Sequence, residues 1–261
     1  ASDVYKRQIF HNPSQGYTLQ IGNGANIAAI SGVTTCSDFR STDIALGGQG
    51  APLVPIGDLY LFPEHKACLN LGGFSNISVK GDEIKAFDIG PANIVLNYLC
   101  KELNLDFDKD GLFARSGKLN NQLLNKLNAI DYYSAPAPKS LGREWVESLI
   151  IPILENSSIS TYDKLQTFCI HVADQIAYSL ANLELDSSIL VTGGGAKNVF
   201  LIECLRKKGI NIEIPSNEIV EYKEALIFAF LGLLRMLNIP NTLSSVTGAI
   251  KDSTGGNVYH P

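Results

Sequence analysis

Apolar and polar residues alternate with a period of two over Tyr17-Thr18-Leu19-Gln20-Ile21, which predicts a strand. Gly22-Asn23-Gly24 turns, Ala25 to Ser31 fits a short helix, and Val33 to Ser37 predicts a second strand. The period returns in Ala67-Cys68-Leu69-Asn70-Leu71, Ser75 to Val79 and Ile84 to Asp88. The Gly81-Asp82 turn ahead of the last run marks a hairpin. Pro91 suits the first turn of a helix that places Asn93, Leu96, Leu99 and Leu103 on one face. Beyond it, helical spacing covers Leu119 to Ile130, Trp145 to Leu154 and about Tyr162 to Leu183, with a loop from Asp131 to Glu144. Ser188 to Thr192 predicts a buried strand, followed by a helix to about Lys208, a strand Asn211 to Ile214 and a last helix from about Tyr222 to Leu237. This βαβ-like order predicts an α/β fold.

The 261 residues allow one large domain or two smaller ones. Apolar content of 45% with 18% charged residues is that of a soluble globular protein. A net charge of -5 and a pI near 5.4 argue against a nucleic-acid partner, and Arg206-Lys207-Lys208 reads as a solvated helix end. The five cysteines show no C-x-x-C pairing, and four lie in apolar runs, so they read as reduced core residues and favour the cytoplasm. The four histidines lack metal-ligand spacing. The apolar run Ala225 to Leu234 is short and is stopped by Arg235, so no membrane span is expected. Ala1 to Gln8 is polar and patternless; it is expected to be a non-native leader, with the natural start missing.

Candidate chemistry gathers in four places. Asp38 to Pro55 sets two carboxylates, Asp38 and Asp43, and the guanidinium of Arg40 ahead of a glycine-rich turn. Glycine and proline break this segment too often for a helix interior, so the carboxylates are expected at the end of the preceding strand, either as a site or as turn caps. Two further glycine-rich turns follow strands: Asn70 to Asn76, with Gly72 and Gly73, and Thr192 to Asn198, with Gly193, Gly194 and Gly195. Without a Cβ, such turns let backbone N–H groups approach a phosphate; a tight structural turn is the other reading of each. Neither is a Walker A or a dinucleotide fingerprint. Asp88 could orient a magnesium-bound water or cap the helix after it.

These turns, with the Phe87 to Asn93 segment, resemble the way two-lobed sugar kinases of the actin, hexokinase and Hsp70 superfamily hold ATP. The resemblance then narrows. Asp38 to Pro55, Asn70 to Ile77, Phe87 to Asn93, Asp108 to Gly111, Pro138 to Glu144, Gly193 to Asn198, Glu224-Ala225 and Thr247-Gly248-Ala249 resemble, in order, the motifs of the anhydro-N-acetylmuramic acid kinase family. The likeness runs from Ile9 onward. Ile89, Ala92 and Leu141 depart from its pattern, which has Thr, Gly and Thr there.

The resemblance implies an actin-like, ribonuclease H-like ATPase fold with an incomplete first lobe. Residues 9–65 would be the remnant of that lobe and 66–261 the nucleotide-binding lobe. It implies a cytoplasmic bacterial enzyme of peptidoglycan recycling that uses ATP, Mg²⁺ and water to convert 1,6-anhydro-N-acetylmuramic acid into N-acetylmuramic acid 6-phosphate, and a homodimer. Asp43, by its place in Phe-Arg-x-x-Asp, would be the catalytic base, with Arg40 a substrate ligand or its electrostatic partner. Glu224 would contact the sugar or complement the dipole of the last helix. Gly72, Gly73, Asn76, Asp88, Gly193, Gly194, Gly195 and Asn198 would hold the nucleotide. Arg143 would bind a lactyl carboxylate or pin its loop through Glu144, the structural role being preferred; His171 and Trp145 are expected to pack. The family's Ser-Gly-Thr-Ser-x-Asp-Gly hairpin has no counterpart in the sequence, so weak or absent activity is expected of this chain. The rival readings are another small-sugar kinase of the superfamily and a non-catalytic nucleotide-binding protein.

Overall fold

In the computed structural model, which describes residues 8–181 and 188–261, the alternating runs form strands at the expected places. Ala1 to Arg7 and the last turn of the helix expected to reach Leu183 lie outside the described residues. The chain divides into two compact units. One holds the residues up to Pro63 with Lys80–Lys85 and Tyr222–Pro261; the other holds Glu64–Val79 and Ala86–Glu221. This differs from a single cut near residue 65. The reason is long-range pairing: strand Thr35–Ser37 runs antiparallel to Asn257–Tyr259, which ties the C-terminal segment to the N-terminal one.

The second unit is built on a five-stranded sheet. Strand Ala67–Leu71 pairs antiparallel with Phe74–Val79 on one side and parallel with Ile189–Thr192 on the other. Lys85–Pro91 lies outside the former and Ile212–Glu213 outside the latter. Leu69, Leu71 and Val191 on one face and Cys68 and Leu190 on the other are all buried, as a sheet covered on both faces requires. The helix Thr161–Leu180 is the main covering element, with Leu165, Phe168, Cys169 and Ile176 wholly buried. Ser160 caps it by accepting a hydrogen bond from the Asp163 N–H, and Asn120 and Asn198 cap Asn121–Asn128 and Val199–Lys207 in the same way.

Two boundaries differ from expectation here. The strand from Lys85 continues through Ile89 and Gly90 to Pro91, so Pro91 ends a strand and the helix starts at Asn93. The loop from Asp131 to Glu144 contains one 3-10 turn, Asp131–Ser134. His171 packs as expected: its ring bonds the Asn128 carboxamide and the Tyr133 hydroxyl, and burial pushes its pKa down to about 3. Four of the five free cysteines are buried and Cys36 is half-buried.

The first unit has a smaller core, in which Phe39, Leu53 and Ile56 meet Ile227, Leu231 and Leu234. Ile56 belongs to a helix, Val54–Leu61, that the sequence pattern does not predict. Pro55 sits in its first turn, where a missing N–H costs nothing. Gly57 lets that helix lie directly on Ile227, since a Cβ there would come within 2.5 Å of the isoleucine side chain. The last long helix runs Asn217–Met236, five residues earlier than expected, with Glu218 as its first-turn acid.

Candidate active site

The register of the two parallel strands sets the glycine turns side by side. Asn70 stands opposite Thr192, and each is followed within two residues by glycines. Both turns therefore leave the same, carboxyl-terminal edge of neighbouring strands, where open α/β sheets bind ligands. Their closeness depends on the missing side chains. A Cβ on Gly193 would fall 2.5 Å from Asn70 Oδ1 and 2.9 Å from the Leu71 backbone, and one on Gly195 would fall 2.7 Å from Leu71 Cβ. Gly193 also holds a φ of 82°, in the left-handed region.

Asn70, half-exposed between two fully buried leucines, also lies against Gly72, whose Cβ would be 3.2 Å from Asn70 Nδ2. It thus touches both turns. The Thr192 hydroxyl is buried and lacks a hydrogen-bond partner among the described residues. Gly72 and Gly73 turn their carbonyls onto the helix that follows: Asn93 N–H bonds Gly72 O, and Ala92 and Ile94 N–H bond Gly73 O. Gly73 is exposed and Asn76 half-buried on the outgoing strand. Asn198 spends its Oδ1 on the helix cap to Leu201 N–H.

Asp88 is not a helix cap. It lies within the strand, and its Oδ2 accepts from Leu141 N–H at 2.9 Å, while its own N–H and carbonyl bond Lys139 O and Tyr132 Oη. Asp88 thereby staples the Pro138 to Glu144 loop to the sheet. Burial raises its pKa, and the Leu141 N–H opposes that rise. Arg143, in that loop, pairs with Glu147 and not with Glu144. Its side chain is 76% exposed.

In the first unit, Asp43 lies in a short helix, Ser41–Ala45, and not at a bare strand end. Asp38 does follow the strand directly, with a φ of 61°, and accepts from the Ser41 hydroxyl. The Asp43 side chain has no exposed surface. Its Oδ2 accepts from Gly50 N–H at 2.7 Å and its Oδ1 from Thr247 Oγ1 at 2.7 Å. Gly48 must be glycine here, because a Cβ would stand 2.2 Å from Asp43 Oδ2. Arg40 does not pair with Asp43: its Nη1 donates to the Gly50 carbonyl, its Nε is buried with no partner among the described residues, and burial lowers its pKa.

A family model described as anhydro-N-acetylmuramic acid kinase matches residues 4–261. The chain belongs to the anhydro-N-acetylmuramic acid kinase family. Among curated relatives of that name, the one from Vibrio cholerae serotype O1 is 37% identical, covering 100% of this chain and 75% of the relative. The one from Pseudomonas syringae pv. syringae is 37% identical over 96% of this chain and 72% of its own length. A looser likeness, with a TM-score of 0.44 and 15% identity, covers 71% of this chain and 67% of the solved activator of the 2-hydroxyisocaproyl-CoA dehydratase from Clostridium difficile.

Glu224 lies in the second turn of its helix, past the first-turn positions where a carboxylate complements the dipole. Burial lifts its pKa to about 7, the range of a general acid or base. Asn70 and Thr247 are the functional candidates that residue-level reading passed over. Both stand inside quoted motifs, Asn-Leu-Gly-Gly and Thr-Gly-Ala, but only the folded chain shows what they touch.

Proposed function

We propose that this chain catalyses ATP-dependent conversion of 1,6-anhydro-N-acetylmuramic acid and water to N-acetylmuramic acid 6-phosphate, a step of peptidoglycan recycling in the bacterial cytoplasm. Family membership supports the kinase reading, and one observation carries the chemistry: Asp43, in Phe-Arg-x-x-Asp, is a buried carboxylate aimed by two donors. Asp43 takes a proton from a water as its oxygen bonds to the anomeric carbon. The bond from that carbon to O6 breaks, and O6 takes the γ-phosphoryl group, releasing ADP. Two hydrogen bonds leave lone pairs on the carboxylate for the water. Because Asp43 has no exposed surface, the water reaches it only when a group that covers it moves aside while the two donors stay in place.

The paired glycine turns would hold the phosphates of ATP. Gly193 and Gly195 let the two turns close on each other, since a Cβ there would strike Asn70 or Leu71, and this brings backbone N–H groups of both turns to one strand edge. Mg²⁺ would neutralise phosphate charge there. The ion would rest on phosphates and waters, since Mg²⁺ takes few protein ligands, with Asp88 a candidate for a water-mediated contact. Glu224 would contact the sugar while Arg40 holds the Gly50 turn, and a second copy of the chain would complete a homodimer.

The test is ADP release and product analysis in ¹⁸O-water, with Asp43→Asn beside the unaltered chain. Label at the anomeric carbon is expected, and the substitution is expected to cut turnover by roughly a thousandfold. Undiminished turnover by Asp43→Asn would remove the base assignment, and ATP binding with no turnover by either would favour a binding protein. Phosphorylation of ordinary amino sugars without an anhydro bridge would favour another sugar kinase. Robust turnover by the unaltered chain would overturn the expectation of weak activity.

A further inference from the structure

We propose that Thr247 is a positioning residue that holds the carboxylate of Asp43 in its reactive orientation; this rests on the reading of Asp43 as the base. The Thr247 hydroxyl has a single proton and two acceptors within reach, Asp43 Oδ1 at 2.7 Å and the Leu243 carbonyl at 3.2 Å. A bond back to the carbonyl four residues earlier is the ordinary habit of a helical threonine. Here the carboxyl oxygen of Asp43 is the nearer acceptor, at 2.7 Å against 3.2 Å, so the proton goes to Asp43. The Ala249 N–H faces the same hydroxyl oxygen from behind at 3.4 Å.

The contact is not incidental to the turn around it. Gln49 N–H bonds the Thr247 carbonyl at 2.9 Å, and Ile250 N–H bonds the Leu46 carbonyl at 3.1 Å, so the Thr247 to Ile250 segment is laced along the glycine-rich turn. Gly50 N–H fixes one carboxylate oxygen and Thr247 the other, which removes rotation about the bond to the carboxyl carbon. Thr247 is only 2% exposed, so no water stands ready to replace its hydroxyl. The Thr-Gly-Ala motif near the C-terminus and the Phe-Arg-x-x-Asp motif near the N-terminus are in this way one device.

Thr247→Val keeps the shape and removes the proton, whereas Thr247→Ser keeps the proton. The valine variant is expected to lower kcat by about ten- to a hundredfold with both KM values within about twofold, as loss of alignment does, and the serine variant to restore most of the rate. In NMR spectra of the same folded chains, the Gly50 amide proton is expected to shift upfield and lose exchange protection in the valine variant only. Equal kcat for wild type and Thr247→Val, or a serine variant as slow as the valine one, overturns the proposal. If turnover is too slow to measure, an unchanged Gly50 amide in Thr247→Val overturns it instead. Loss of turnover in Asp43→Asn with none in Thr247→Val defeats this inference alone; wild-type turnover in Asp43→Asn defeats the base reading beneath it.

Discussion

Arg40 and Asp43 never meet, yet both grip Gly50: the guanidinium takes its carbonyl and the carboxylate its N–H. The arginine therefore holds the turn that aims the acid. Arg40→Leu is expected to lower kcat by about tenfold and leave the sugar KM within about twofold, because alignment is lost while binding contacts stay. A large rise in the sugar KM at constant kcat would instead make Arg40 a direct substrate ligand. Steady-state kinetics separates the two.

Gly48 tests the same turn by filling it. A methyl group at this position would stand 2.2 Å from Asp43 Oδ2 and 2.9 Å from Ala249 Cβ, so carboxylate or turn must move. Gly48→Ala is expected to destabilise the fold by about 1–3 kcal/mol, the usual cost of overpacking, and to reduce turnover further than the stability loss explains. Urea unfolding with activity measured on the folded fraction checks both parts. Wild-type stability and turnover together would show that the turn is slack.

Glu224 sets a pH dependence. Burial raises its pKa from 4.5 to about 7, so between those values the folded chain binds a proton that the unfolded chain has released. The stabilisation is complete below pH 4.5 and is lost as pH rises through about 7. Glu224→Gln should flatten that part of the melting-temperature profile, leaving the variant relatively more stable above pH 7 than below pH 4.5. Parallel profiles for the two proteins would mean that Glu224 titrates normally.

Next to it, Lys223 and Asp58 form an ion pair at 2.6 Å whose side chains are 7% and 4% exposed. Removing one partner strands a charge in the interior. Lys223→Met is expected to cost about 3–5 kcal/mol in urea unfolding, and Lys223→Met with Asp58→Leu markedly less. The ammonium also lies 5.5 Å from the centre of the Phe62 ring, so some of the single-variant loss is a cation–π contact. Additive losses in the double variant would mean that the two side chains do not depend on each other.

Local pattern carried most of the second unit, because its strands alternate and its turns are marked by glycine. Pro52 and Pro55 read as breakers, which hides the helix Val54–Leu61; in the fold, Pro55 starts it and Gly57 seats it on Ile227. The early start of the last helix was masked by the polar run Ser216-Asn217-Glu218, whose burial begins only with Val220. For the site, spacing singled out Asp43 but not its partners, since Thr247 lies 204 residues away. No periodicity reports a contact at that range. Asp88 shows the converse: strand and turn were legible around it, while its bond to Leu141 depends on a loop with no pattern of its own.

That separation also orders events during synthesis. A carboxylate whose second donor lies 204 residues further along stays only half aimed on the ribosome until that stretch has emerged. The growing chain thus completes its reactive geometry after the first donor, Gly50, is already in place, and a copy cut off before Thr247 would carry its acid with one donor instead of two.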